Sequence, residues 1–247
     1  MGRIKMHFFK ITPWKILRFF NFFNKRMSLD SNSWNQRYVS KNTRKIENRI
    51  IASYRGKEFY DGKRNNGYGG FKYDGRWQKI AKRIFKHYKL KDNSRILQIG
   101  SDKGFLLNDL KNIKPKCTVA GIEISDYAIK KTLKKVKRYV KKSNFYELPF
   151  NDNYFDFIIA IGPVYSLSLP DAIKCLKEIK RVGKGKSFIT LGAYNNDRDL
   201  KLFKYWTLLG TLILNKKEWI KVLKHCKYTG DYKFNTAKNL NLSLKRK

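Results

Sequence analysis

Histidine and cysteine are scarce in this 247-residue chain, with three of each. Cys117, Cys175 and Cys226 stand far apart. They make no CxxC pair and no Cys/His spacing of the zinc-holding kind, so a structural metal site is not expected and a reduced, intracellular setting fits. His7, His87 and His225 form no constellation; the last two fall in basic helical stretches and read as surface residues. Acids are also few: 19 Asp and Glu stand against 56 Lys and Arg, for a formal net charge of +37. An anionic partner would account for that excess, whether nucleic acid, an acidic membrane surface, or a phosphorylated or lipid-linked substrate. Compositional drift would account for it too, since Lys, Asn, Ile, Phe and Tyr are all abundant and the lysines are spread along the chain. The densest basic run, KKTLKKVKRYVKK (130–142), reads as the solvated face of a helix.

Long apolar runs are absent as well. None approaches the ~20 residues of a membrane-spanning helix. In residues 1–27, MGRIKMHFFKITPWKILRFFNFFNKRM, charges interrupt the apolar positions and no small-residue cleavage site follows, which argues against a cleaved signal peptide. Ile11, Trp14, Leu17 and two Phe pairs alternate with Lys10, Lys15, Arg18, Asn21 and Lys25. That pattern fits a cationic amphipathic helix lying on an anionic membrane. A core-packing helix, or an upstream extension with the start at Met27, is the alternative. The expected location is cytoplasmic, with peripheral attachment at the inner membrane face as a variant of it.

What is present divides the chain into three: the segment 1–27, a helical and Gly-rich cap over 28–90, and an α/β domain over 91–247. Within the cap, NNGYGGFKYDGRW (65–77) holds too many glycines for regular structure and marks a loop. Trp77, Ile80, Ile84 and Tyr88 then recur at helical spacing. From residue 94 strands and helices alternate. RILQI (95–99), TVAGI (118–122), FDFIIAI (155–161) and SFITL (187–191) read as strands. A helix through Phe105–Leu110, a second marked by Ile129, Leu133, Val136 and Val140, and a third over 172–181 capped by Asp171 lie between them. Asn215 and Glu218 start a further helix with a capping box, and YKFNTA (232–237) could close the sheet. This order predicts a parallel sheet with helices on both faces.

The chemistry-bearing segment is SRILQIGSDKGFLL (94–107). A strand runs into a loop with Gly100 and Gly104, where a backbone can approach a ligand, and then into a helix whose N-terminus offers free N–H groups. Glu123 ends the next strand, where a carboxylate can accept both hydroxyl hydrogens of a ribose.

ILQIGSDKGFLL, VAGIEISDYAI, YELPFNDNYFDFIIAI and LKEIKRVGKGKSFITL resemble successive motifs of the class I S-adenosylmethionine-dependent methyltransferases, type 11-like, over roughly residues 94–191. The resemblance implies a Rossmann-like fold with a mostly parallel seven-stranded sheet, and S-adenosyl-L-methionine as cofactor. Carried over by position, Gly100, Ser101, Asp102 and Gly104 would border the methionine part of the cofactor. Glu123 would hold the ribose, Ile124 would pack on the adenine, and Asn144 and Phe145 would read the adenine edge. Ile161 would stand beside the transferable methyl. Tyr68, Tyr73 and Arg76 would close over the cofactor from the N-terminal side, unless they form an aromatic–arginine packing cluster.

The chain departs from the pattern in its first motif. Gln98 stands where the family has an acid, and Asp102 where it has a glycine. Asp102 brings a negative charge close to the cofactor carboxylate, a repulsion of about 1 kcal/mol at ~4 Å even in water; Lys103 is a candidate to offset it. On the acceptor side GPVYSL offers Tyr165 for positioning or proton acceptance, and no other side chain stands out as a general base. Methyl transfer to a small-molecule, sugar or lipid-linked acceptor is the leading reading. A degenerate fold kept as a binding scaffold is the second. An RNA methyltransferase is the third, supported by charge but by no NPPY-type or DPPY-type tetrapeptide and no paired-cysteine motif.

Overall fold

The computed structural model describes residues 36–245; the segment 1–27, expected to be amphipathic, lies outside them. The elements in chain order are β1 (Arg37–Val39), α1 (Ile46–Ser53), α2 (Lys57–Tyr60), α3 (Gln78–His87), β2 (Arg95–Ile99), α4 (Phe105–Ile113), β3 (Thr118–Glu123) and α5 (Asp126–Lys130). There follow β4 (Val140–Lys142), β5 (Phe157–Ala160), α6 (Leu169–Val182), β6 (Ser187–Tyr194), α7 (Asp197–Trp206), β7 (Leu214–Asn215), α8 (Lys216–His225), β8 (Asp231–Asn235) and β9 (Leu242–Leu244).

Strands 2 to 8 form one seven-stranded sheet in the order β4-β3-β2-β5-β6-β7, with β8 also paired to β6. Every pairing in it is parallel. Both faces are covered, and the two-residue period of the strands sorts their side chains between them. Ile96, Phe157, Ile159 and Phe188 pack with Ile80, Ile84 and Phe85 of α3 and Leu106, Leu107 and Leu110 of α4. Leu97, Ile99, Ile158, Ala160, Ile189 and Leu191 point the other way, onto Ala172, Leu176 and Ile179 of α6 and Trp219 and Leu223 of α8. The result is a three-layer Rossmann-like sandwich. The chain leaves β2 toward β3 and β4 on one side and fills β5 and β6 on the other. The ends of β2 and β5 therefore flank the point where strand order reverses, the place where open parallel sheets bind ligands.

Two smaller units sit on this frame. Ala52, Phe59, Tyr60 and Phe71 of the cap pack against Phe105 and Ala128. β1 pairs in parallel with β9, Arg37 opposite Leu242, and this pair rests on Leu202 of α7. Among the described residues no helix is long and apolar enough to cross a membrane.

Two expected elements differ. The helix anticipated through Val140 stops at Lys130, and Val140 opens β4 instead. The Thr132 hydroxyl donates to Ala128 O at 3.0 Å and Leu133 N donates to Lys103 O at 3.1 Å, so the backbone turns out of the helix. The like charges of this lysine run would also repel one another at i, i+4 spacing in a helix. The helix expected over 172–181 begins earlier, at Leu169. Its cap is Ser168, which accepts from Asp171 N, while Pro170 occupies the first turn, where its missing N–H costs nothing. The Asn215–Glu218 capping box is present.

Candidate active site

A cavity of about 600 Å³ opens at the carboxyl ends of β2, β3 and β5. That is within the range of small-molecule sites, ~300–1,000 Å³. Its floor is the Gly loop. Gly100 has φ +70° and Asp102 φ +48°, both left-handed. A Cβ at Gly100 would come within 2.6 Å of Pro163 Cγ, so only glycine leaves the floor open there. Gly100 N and Ser101 N donate to Ile122 O at 2.8 and 3.1 Å, stitching the loop to β3.

Glu123 lies at the end of β3 and is buried. Its carboxylate accepts from Asp102 N at 2.8 Å and from Ile124 N and Ser125 N, both at 2.9 Å. A carboxylate offers roughly four acceptor positions, so about one remains for a ligand hydroxyl rather than the two expected. Asp102 points into the cap. Tyr60 donates to it at 2.9 Å and Tyr68 at 3.4 Å. Burial, and then the neighbouring Glu123, push the Asp102 carboxyl up to about 7, while the two tyrosine hydroxyls and Arg55 pull the other way. Burial and the adjacent acids raise both tyrosines well above the usual phenol range, so both keep their protons and act as donors. Lys103, the candidate offset for Asp102, is used elsewhere: its ammonium meets Asp61 at 2.6 and 2.8 Å and Phe71 O at 2.9 Å. The cation that acts on Asp102 is Arg55.

Of the residues singled out in the sequence, Gly100, Asp102, Glu123, Phe145, Ile161, Tyr165 and Tyr68 line the cavity. Ser101 is buried with its side chain over Gly121. Gly104 caps α4, and a Cβ there would meet Thr132 and Val136, not the cavity. Ile124 packs on the core cluster beside the sheet. Asn144 spends its side chain on Glu147, at 2.8 Å, and on Tyr146 N, at 3.0 Å. Tyr73 and Arg76 are not among the lining residues: Tyr73 donates to Asp109, and Arg76 pairs with Asp74 two residues away.

Tyr165 is wedged between Gly192 and Gly210, where an added Cβ would touch its ring at 3.0 and 3.1 Å. Burial raises its hydroxyl above the usual value despite a hydrogen bond with Asn235 and the nearby Arg55. It is therefore a proton-bearing group at neutral pH and a poor base. The sequence reading missed the other wall. Arg37, Arg44, Arg55, Arg64, Lys233 and Lys238 line it, so six cations face the cavity against two acids, Asp102 and Glu123. A partial signal was present in the composition, but not which of 56 Lys and Arg converge.

The residues fit S-adenosylmethionine on this floor. The left-handed Gly100 leaves room for backbone approach, the acids suit a cationic sulfonium, and the buried Phe145 ring lies 3.9 Å from the position of a Gly100 Cβ. Gln98 Oε1, buried at the end of β2, has no hydrogen-bond partner among the described residues.

Residues 97–191 match the family model described as "Methyltransferase domain". Among solved structures the chain is similar to the YcgJ protein of Bacillus subtilis, with 17% identity and a TM-score of 0.50 over 60% of this chain and 67% of that one. It is also similar to a SAM-dependent methyltransferase from Aquifex aeolicus, with 22% identity and a TM-score of 0.43 over 63% of this chain and 88% of that one. No curated protein matches the chain.

Proposed function

We propose that this chain, whose residues 97–191 belong to the class I S-adenosylmethionine-dependent methyltransferases, transfers a methyl group to a small-molecule, sugar or lipid-linked acceptor held in the cavity. The cofactor of the domain is S-adenosylmethionine, and when bound it supplies an electrophilic methyl on a sulfonium. The observation that carries the reading is the cavity at the switch point, with Gly100 and Glu123 on its floor. Gly100 admits the cofactor backbone, Glu123 offers its remaining acceptor position to the ribose, and Phe145 gives the adenine an apolar surface. Asp102 faces the charged end of the cofactor; ionised, it favours an ammonium, and protonated, it tolerates a carboxylate.

Tyr165 orients the acceptor as a hydrogen-bond donor. Transfer itself needs little more than proximity and in-line alignment of acceptor and methyl within the cavity. A calorimetric titration with S-adenosylhomocysteine tests the reading. Micromolar binding is expected, and no heat at millimolar ligand would refute it.

A second reading is a methyltransferase fold kept as a binding scaffold. It is favoured by Asp102, a half-buried carboxyl at a glycine-type backbone position that the cap closes over with two tyrosines. The pair Gln98→Asp and Asp102→Gly separates the two. On the scaffold reading this pair creates cofactor binding that the parent lacks; on the enzyme reading the parent already binds.

A further inference from the structure

We propose that the basic wall of the cavity is an anion site for a phosphate or pyrophosphate group of the methyl acceptor, with Arg44 and Arg64 at its centre. The proposal rests on the reading of this cavity as a methyl-transfer site. Arg44 follows β1, Arg64 precedes the Gly-rich stretch of the cap, and Lys233 lies within β8, so three distant parts of the chain converge. Arg44 is half-buried and Arg64 is exposed where they line the cavity, and among the described residues both meet only neutral acceptors. Arg44 donates to Trp206 O and stacks on the Trp206 ring at 5.7 Å. Arg64 donates to Gly67 O at 2.8 Å and Tyr68 O at 3.2 Å. No described carboxylate forms an ion pair with either.

The strain of this arrangement shows on Arg44. Burial, and then Arg64, Arg49 and Arg37, pull its guanidinium down to about 10. Burial alone pulls Lys233 down to about 8. Positive charges gathered along one concave lining repel one another, and a dianion relieves that repulsion. Guanidinium forks also match phosphate oxygens two at a time. Each of these arginines has five N–H donors and spends few of them on carbonyls. Trp206, Leu208, Leu209 and Leu240 line the same cavity, so the anion would carry an apolar or ring-shaped remainder.

The probe is inorganic pyrophosphate, titrated by calorimetry into the full chain at roughly physiological salt, with and without saturating S-adenosylhomocysteine. Binding is expected in both conditions. Arg44→Gln and Arg64→Gln should each weaken it by about tenfold or more and leave the homocysteine ligand's affinity within about threefold. Lys82→Gln with Lys134→Gln, both exposed, controls for the net charge and should change pyrophosphate binding less than about twofold. Melting curves confirm that each variant folds, and Arg64→Gln carries the test if Arg44→Gln does not.

Two results overturn the proposal: equal weakening by the exposed pair, or displacement of pyrophosphate by S-adenosylhomocysteine. The second would assign these cations to the cofactor carboxylate. Pyrophosphate binding without any homocysteine binding would uphold the anion site and sink the methyl-transfer reading on its own. Farnesyl diphosphate gives the second arm. Tighter binding than pyrophosphate assigns the site to a lipid-linked acceptor, and equal binding assigns it to a soluble one.

Discussion

The two walls of the cavity were built by opposite rules. The sheet wall is made by short local patterns, strand then Gly loop then helix, and it carries the acids Asp102 and Glu123. The rest of the lining is assembled from the cap, the β1–β9 pair and β8, which extends the same sheet beside β6, and it carries the cations. A net charge of +37 alone would spread positive potential everywhere. The arrangement instead keeps negative charge where a sulfonium would lie and positive charge where a substrate anion could lie. Arg55 is the cation that reaches across to Asp102; otherwise the two groups are separated by sign, and the variants below probe the acid side of the lining and one pair outside it.

The largest effect is expected at Gly100. Gly100→Ala forces a side chain into a left-handed position and within 2.6 Å of Pro163 Cγ. A loss of ~2–4 kcal/mol in stability is expected, with S-adenosylhomocysteine binding abolished and pyrophosphate binding kept in the fraction that remains folded. Chemical melts and calorimetry read the two separately. Glu123→Ala should follow closely. It strips three buried N–H groups of their acceptor, which costs about 2–4 kcal/mol and should weaken the homocysteine ligand by ~tenfold or more. Glu123→Gln, which keeps an acceptor oxygen, should restore much of the stability in the same melts.

Asp102 comes next and is a matter of pH. Burial and Glu123 raise its carboxyl from 3.8 to about 7 in the folded chain. Stability from this group is therefore fully present below the ordinary carboxyl range and is lost as pH rises toward 7, because the folded state then holds an unwelcome charge. Asp102→Asn removes that penalty and tolerates the left-handed backbone. Relative to wild type it should be more stable by about 1–3 kcal/mol at pH 8, with the gap narrowing on acidification and closing only below about pH 4, in paired denaturant titrations. A gap that widens on acidification would contradict the assignment. The smallest effect belongs to Arg76. Its pair with Asp74 is local and outside the cavity. Arg76→Gln should shift stability by less than ~0.5 kcal/mol and leave homocysteine affinity within about twofold.

The same division explains what the sequence could disclose. The strands β2, β3, β5 and β6, the Gly loop and the place of Glu123 at a strand end were legible because each is fixed by neighbours within a few positions. Where a local pattern misled, a non-local bond had intervened. The periodic Ile129–Val140 run lost its helix to a hydrogen bond from Leu133 N to Lys103 O across the loop. Lys103, adjacent to Asp102 in sequence, turns to Asp61 instead. Tyr73 and Arg76 were sensible cap candidates by position, yet Tyr60, Tyr68 and Arg55 are the cap residues that reach Asp102. The convergence of Arg37, Arg44 and Arg64 with Lys233 depends on the pairing of β1 with β9, between opposite ends of the described chain, and no local spacing encodes that.

The acid-lined floor is expected to hold the cofactor and the basic lining the acceptor. A crystal structure of the full chain soaked with S-adenosylhomocysteine and pyrophosphate together tests it most directly. The adenosine is expected beside Phe145 and Glu123, the amino-acid end at Gly100 and Asp102, and pyrophosphate at Arg44 and Arg64. Homocysteine carboxylate seated on Arg44 and Arg64, with the floor at Glu123 empty, would contradict it.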